Sequence, residues 1–310
     1  MEFRLLEYFL AVAREQSITA AAESLHISQP ALSTQLKALE TELGKQLFIR
    51  GVKGSRKIVL TEEGMILRRR AEEIISLMRR TEEEITGSDE TIAGNVFIGA
   101  GETETVRLFA QAAQKIQKKY PDIQYHISSG NAEHVLDYLD KGLIDFGLLF
   151  TKVDPQKYEA LPMPVKDTWG VLMRKDFPLA KKEAICPEDL WDKPLIISHQ
   201  KGDDIFLDHW LRREKSELHI VATYNLLFNA SLLVDEGLGY ALGLDNIINT
   251  QSGSLCFRPL SPRLEVNSFI VWKKYQVFSK AANLFLRYLQ DMIPLIEPLD
   301  PNIPGSGSSR

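Results

Sequence analysis

The stretch from Ser17 to Arg50 restricts what this chain can fold into more than any other, because it reads as two short helices joined by a tight turn. The first helix is rich in small residues, with Ala20, Ala21, Ala22 and Leu25 following a capping Ser17. Small side chains let a second helix cross closely, as a helix-turn-helix requires. His26-Ile27 forms the turn. Ser28 caps the second helix, and Pro30 in its first turn costs nothing because amides there lack an intrahelical partner.

Leu32, Leu36, Leu39 and Leu43 of that second helix step by four, three and four residues, which makes one apolar stripe. A rotation of about 100° per residue sets Pro30, Ser33, Thr34 and Lys37 on the opposite face, with Ser28 and Gln29 at the N-terminal tip. Hydroxyls, an amide and one Lys suit a helix lying in the major groove of DNA, where they reach base edges and phosphates. The same pattern also fits an amphipathic helix with a solvated face.

The net charge of −5 and pI near 5.8 give no bulk sign of nucleic-acid binding, so any such signal is local. It is found at 45–57, where Lys45, Arg50, Lys53, Arg56 and Lys57 occur without an acid. Gly51 and Gly54 mark a turn, and Ile58-Val59-Leu60 reads as a short strand. A β-hairpin with a basic tip, following a helix-turn-helix, is the wing of a winged helix. Arg50, Lys53, Arg56 and Lys57 would then contact phosphates, which fixes position and gives salt-sensitive affinity. From Thr61, an expected N-cap, a helix runs to about Thr86. Leu67, Ala71, Ile74, Met78, Thr81 and Ile85 form a heptad seam flanked by charged residues. A narrow seam on a charged helix needs a partner, either its own domain or the same helix of a second copy.

Ser-Gln-Pro-Ala-Leu-Ser at 28–33, Leu-Glu at 39–40, Leu-Gly-x-x-Leu-Phe-x-Arg at 43–50 and Leu-Thr-x-x-Gly at 60–64 closely resemble the LysR family of bacterial transcriptional regulators. The resemblance implies a DNA-binding regulator, a linker helix that pairs subunits, tetramers built from such dimers, and an effector domain of periplasmic-binding-protein fold. The wing here is about three residues longer than the family pattern, which leaves open which of its residues touches DNA.

The remaining chain fits that layout. A length of 310 residues with 44% apolar content is too long for one small domain and sufficient for a well-packed core. Strands and helices alternate after a hinge at about 87–94. Strands are expected at 96–98, 125–127, 146–150, 170–173, 195–197, 220–223, 240–242 and 269–272. Helices are expected at 106–120, 132–141, 205–215, 230–236 and 280–292. Pro162 and Pro164 mark a crossover between two α/β units. The expected fold is α/β: an all-α winged helix-turn-helix (1–60) and linker helix (61–87), then a two-lobed effector domain (88–296). Lobe I takes 91–162 and 267–296, lobe II takes 163–266, and 297–310 is a Pro/Gly/Ser-rich tail.

Ligands of open α/β sheets sit beyond the C-terminal ends of strands. The residues there are Gly101, Glu102, Thr103, Ser128, Ser129, Gly130, Asn131, Ser198, His199, Gln200, Tyr224 and Asn225. They form the candidate effector site, although Ser, Thr and Asn equally serve as helix caps. Glu102 disfavours an anionic ligand unless a cation offsets it.

Other chemistry lacks its signature. Gly99-Ala-Gly101 begins like a dinucleotide fingerprint but has no third Gly, and no zinc-protease, Cys-x-x-Cys or nucleophile-elbow motif occurs. Cys186 and Cys256 lie far apart, which fits a reducing compartment. The N-terminus is amphipathic and charged, unlike a signal peptide or membrane span. The expected partners are double-stranded DNA, a small-molecule effector and further copies of the chain, in the cytoplasm, with no cofactor, metal, membrane or catalytic role. A small-molecule carrier whose N-terminal domain only dimerises is the alternative.

Overall fold

The computed structural model describes residues 1–49, 57–86, 92–199, 207 and 209–293. Arg50, Lys53, Arg56 and Gln200, the turn at Gly51 and Gly54, most of the hinge and the C-terminal tail lie outside the described residues. The chain divides into two compact units, 1–87 and 88–310.

In the first unit, α1 (Phe3–Glu15), α2 (Ile18–Ser24) and α3 (Gln29–Leu43) pack around Phe9, Val12, Ala21, Leu32, Leu36 and Leu39. Ser17 Oγ accepts from the Ala20 amide at 3.3 Å and caps α2. His26 turns the chain with φ of 54°, and Gly44 ends α3 in the left-handed region. Leu43 departs from the expected stripe. It is 40% exposed, because it falls in the last turn of α3, beyond the reach of α1 and α2.

Two short strands follow, β1 (Phe48–Ile49) and β2 (Val59–Leu60), paired antiparallel with Phe48 opposite Leu60. Thr61 caps α4 (Glu62–Thr86), since its Oγ1 accepts from the Gly64 amide and donates to the Gln46 carbonyl at 2.7 Å. Gly64 is required there, because a Cβ would lie 2.2 Å from the Leu47 carbonyl oxygen. The α4 seam divides. Ala71 and Ile75, the latter absent from the expected heptad, are buried with Leu6 of α1. Ile74, Leu77, Met78, Thr81 and Ile85 instead form an open apolar groove with Phe3. A straight helix drifts relative to a strict seven-residue repeat, so its buried row moves across the sequence.

The second unit is built on a mixed sheet whose strands run in the spatial order β4 (Ile123–Ser129), β3 (Gly94–Ala100), β5 (Phe146–Leu149), β11 (Glu265–Lys273), β6 (Tyr158–Arg174), β9 (Tyr240–Leu244), β7 (Leu195–Ser198) and β8 (Ile220–Tyr224), with β10 (Leu255–Pro259) paired to β6. Its first lobe holds β3, β4 and β5, covered by α5 (Val106–Gln117), α6 (Ala132–Asp140) and α8 (Lys280–Met292). Phe109, Phe146 and Phe285 pack edge-on and tilted in its core. The second lobe holds β7, β8, β9 and β10, with α7 (Leu227–Asp235).

Two strands run through both lobes. β6 and β11 are antiparallel neighbours with an irregularity between Asn267 and Phe269. The structure departs from three expectations. The strand expected at 170–173 begins at Tyr158, so Pro162 and Pro164 lie inside β6 where it crosses between the lobes, and Pro162 faces Phe269 next to that irregularity. β10 was not expected at all. The helix expected to reach Lys215 ends at Leu211, after which Arg212 has φ of 55°.

Candidate nucleic-acid interface and ligand cleft

The leucine face of α3 is fully committed: Leu32, Leu36 and Leu39 are at most 1% exposed. That burial fixes which residues point outward. Ser28, Gln29, Pro30, Thr34 and Lys37 are exposed, and Ser33 is half-buried at the edge of the face. Ser28 Oγ takes the Ala31 amide at 3.4 Å, so its hydroxyl oxygen is engaged in capping. Thr34 Oγ1 donates to the Pro30 carbonyl at 2.9 Å, which leaves its lone pairs and methyl outward. Thr41 continues the same exposed row and donates likewise to the Lys37 carbonyl. It was not expected from sequence, although its spacing of seven from Thr34 was a usable signal.

Lys57, beside β2, is exposed. Lys45 is not an unopposed charge as the sequence implied, since its Nζ lies 3.3 Å from Glu63 in the first turn of α4. The Glu63 carboxyl is held below its usual range, first by its own backbone N–H and then by Lys45. Glu40 Oε1 accepts from the amides of Leu47 and Phe48, which pins the chain leaving α3 and so orients the β1–β2 ladder.

In the second unit a cleft opens where strand C-termini from both lobes converge. Gly101 and Glu102 follow β3, Gly130 follows β4, Phe150 and Thr151 follow β5, Ser198 ends β7, and Tyr224 ends β8 with Asn225 after it. Its walls are largely apolar, from Leu148, Leu149, Phe150, Trp169, Leu227, Leu244, Ile247 and Val266. Of the sequence candidates, Gly101, Glu102, Gly130, Ser198, Tyr224 and Asn225 line this space.

Several others do not, each for a visible reason. Asn131 Oδ1 accepts from the His134 amide at 2.9 Å and caps α6. Ser128 and Ser129 end β4, the edge strand of the sheet; the cleft is lined there by Gly130 and Ala132 and not by these two serines. The His199 side chain is exposed outside the cleft, while its amide donates to the Tyr224 carbonyl. Thr103 turns inward, where its Oγ1 donates to Asp167 at 2.6 Å.

Asp167 was not singled out from sequence. It is 3% exposed on β6 and also contacts Thr105 Oγ1 at 3.2 Å. Thr105 in turn lies 3.0 Å from Ser268 of β11. A fully buried polar network thus ties the loop after β3 to both crossover strands. Burial pushes the Asp167 carboxyl up, against the lowering effect of the two threonine hydroxyls and the Glu104 amide.

Glu102, one residue earlier in that loop, reaches the other lobe. Its Oε2 accepts from the backbone amide of Leu227, the first residue of α7. Trp169 was also missed. It is 4% exposed, lines the cleft, and its indole Nε1 finds no hydrogen-bond partner among the described residues. The sequence held no signal for either feature, because both depend on how β6 and the loop after β3 come together.

Residues 3–65 match a family profile described as bacterial regulatory helix-turn-helix protein, lysR family, and residues 89–294 match the LysR substrate binding domain. Two similar proteins of Bacillus subtilis (strain 168) are named as HTH-type transcriptional regulators. YybE is 30% identical over 301 residues, covering 93% of this chain and 98% of that protein. YvbU is 28% identical over 243 residues, covering 78% of this chain and 81% of that protein. Among solved structures, full-length CbnR complexed with its target DNA superposes with a TM-score of 0.73 at 19% identity, over 94% of this chain and 99% of that one. At that identity the likeness concerns the fold.

Proposed function

The chain belongs to the LysR family of bacterial helix-turn-helix regulators, and on that premise we propose that it reads duplex DNA with the outer face of α3 and responds to a small molecule held in the cleft of its second unit. Gln29, Pro30, Ser33, Thr34 and Lys37 face the major groove, while Ser28 sets the N-terminus of the helix. Arg50, Lys53, Arg56 and Lys57 supply phosphate contacts, which carry affinity and not sequence choice. Gly101, Glu102, Ser198, Tyr224 and Asn225 surround the effector.

One observation carries the DNA-reading part. α3 buries three leucines and leaves a row of polar side chains open to solvent. The apolar groove of Phe3, Ile74, Leu77, Met78 and Ile85 supports pairing of α4 with the same helix of a second copy. Such pairing sets two α3 helices on one DNA and suits an approximately palindromic site. A DNA partner of this kind places the protein in the cytoplasm.

The test is selection of bound sequences from a random duplex library by the full chain, followed by binding of the selected site by Thr34→Ala. Enrichment of a two-fold related motif and loss of preference within it in the variant are expected. Uniform retention of all sequences, unchanged by the substitution, would refute the assignment.

A further inference from the structure

Helix α7 begins without a cap of its own. Leu226 occupies its N-cap position and offers no side-chain hydrogen bond, and its first turn holds no acidic residue. A helix start of this kind, opening on a cleft, presents orphan amides and a partial positive charge, which is where the carboxylate of a ligand would settle. That place is already taken. Glu102 Oε2 accepts the Leu227 amide from across the cleft.

The loop bearing Glu102 is held in position. Thr103 and Thr105 both donate to the buried Asp167, so the carboxylate is presented by a braced segment. The other oxygen of Glu102, Oε1, makes no hydrogen bond among the described residues. Among the described lining residues Glu102 is also the sole formal charge, with no Lys, Arg or His beside it. Independently, Trp169, which lines the same cleft, has a buried Nε1 with no acceptor among the described residues. A buried N–H in that state calls for an acceptor atom from outside the chain.

Resting on the effector reading above, we propose that Glu102 is a resident anion that fills the start of α7 and thereby turns the cleft toward a ligand with an ammonium or other N–H-rich head on an apolar body, and away from carboxylates. The head binds Oε1 of Glu102, the body lies along Leu148, Phe150 and Val266, and an acceptor on the ligand meets Trp169 Nε1. Removal of the Glu102 carboxylate vacates the helix start, so a small free carboxylate then takes its place.

Both halves are tested on the full chain by thermal unfolding and calorimetry with matched probes. Phenethylamine and tyramine are compared with phenylacetate and 4-hydroxyphenylacetate. The amines are expected to raise the melting temperature of the parent protein, the carboxylates to leave it unchanged, and Glu102→Gln to weaken amine binding at least tenfold. Formate is expected to stabilise Glu102→Ala and not the parent. Should Glu102→Ala not fold, the Gln variant alone carries the amine arm. The proposal is overturned if carboxylates bind the parent as well as amines do, if neither class binds, if Glu102→Gln binds amines unchanged, or if a folded Glu102→Ala ignores formate. A bound amine that leaves duplex DNA binding unaltered would instead count against the regulator reading, with the role of Glu102 standing.

Discussion

Glu102 and Leu227 stand 125 residues apart and meet as carboxylate acceptor and backbone donor across the cleft of the second unit. The hydrogen bond joins the loop after β3 to the first turn of α7, so it is made only when the two lobes are at the separation seen here. Local capping of a helix restrains one turn. This cap restrains the relation between two lobes.

The neighbouring Asp167 predicts a pH dependence of stability. Burial raises its carboxyl above the ordinary aspartate range in the folded state. A folded-state value raised above the unfolded one means that the folded protein holds the proton more tightly. The stability from this group is therefore complete below about pH 4, the unfolded value, and is lost as pH rises through the raised folded value. Relative to Asp167→Asn, the parent is expected to lose stability between pH 4 and pH 7. Urea unfolding of both proteins at the two pH values reads this directly, and a pH-independent difference would count against it.

Gly64 lies against the Leu47 carbonyl with no room for a methyl group. Gly64→Ala is expected to destabilise the first unit by about 1–3 kcal/mol, the usual cost of overpacking a tight site. Chemical denaturation followed through that unit would show it, and an unchanged midpoint would mean that α4 shifts freely against the chain leaving α3.

Thr34→Ala and Ser33→Ala are each expected to cost about 1–3 kcal/mol on the selected DNA site, the worth of reading one base, and little on unrelated duplexes. Thr34, the more exposed of the two, should have the larger effect. Fluorescence anisotropy on both duplexes distinguishes base reading from a general fall in affinity.

Lys57→Ala is expected to behave in the opposite way, weakening binding to all sequences alike. Removal of one phosphate partner lowers the slope of log K against log salt by about 0.9. A titration at several salt concentrations checks it. An unaltered slope would place Lys57 off the DNA.

Met78→Lys puts a charge into the α4 groove without touching the buried Ala71–Ile75 row. The variant is expected to keep its folded core and lose self-association, which sedimentation velocity would report as a lower mass. An unchanged mass would show that this groove is not where copies of the chain meet.

The sequence by itself determined the helix-turn-helix, because every instruction for it is local. Ser17 and Ser28 cap, Gly44 stops, and three leucines at helical spacing choose the buried face of α3. Once that face is buried, the outward row of Gln29, Thr34 and Lys37 follows from the 3.6-residue period alone. The helix at Lys280–Met292 was legible for the same reason, with its apolar row and the capping Ser279 adjacent in sequence. Only the tertiary structure decided the cleft. Asn131 satisfies its own helix and drops out, Thr103 turns to Asp167, and Trp169 enters from a strand that begins well before the run legible at 170–173. Glu102 acquires its partner from a helix that carries no capping residue of its own. Local hydrogen bonds are set by spacing along the chain, and spacing can be read. Meetings between the two lobes depend on how β6 and β11 pair across the whole unit, and no pattern within either segment encodes that register.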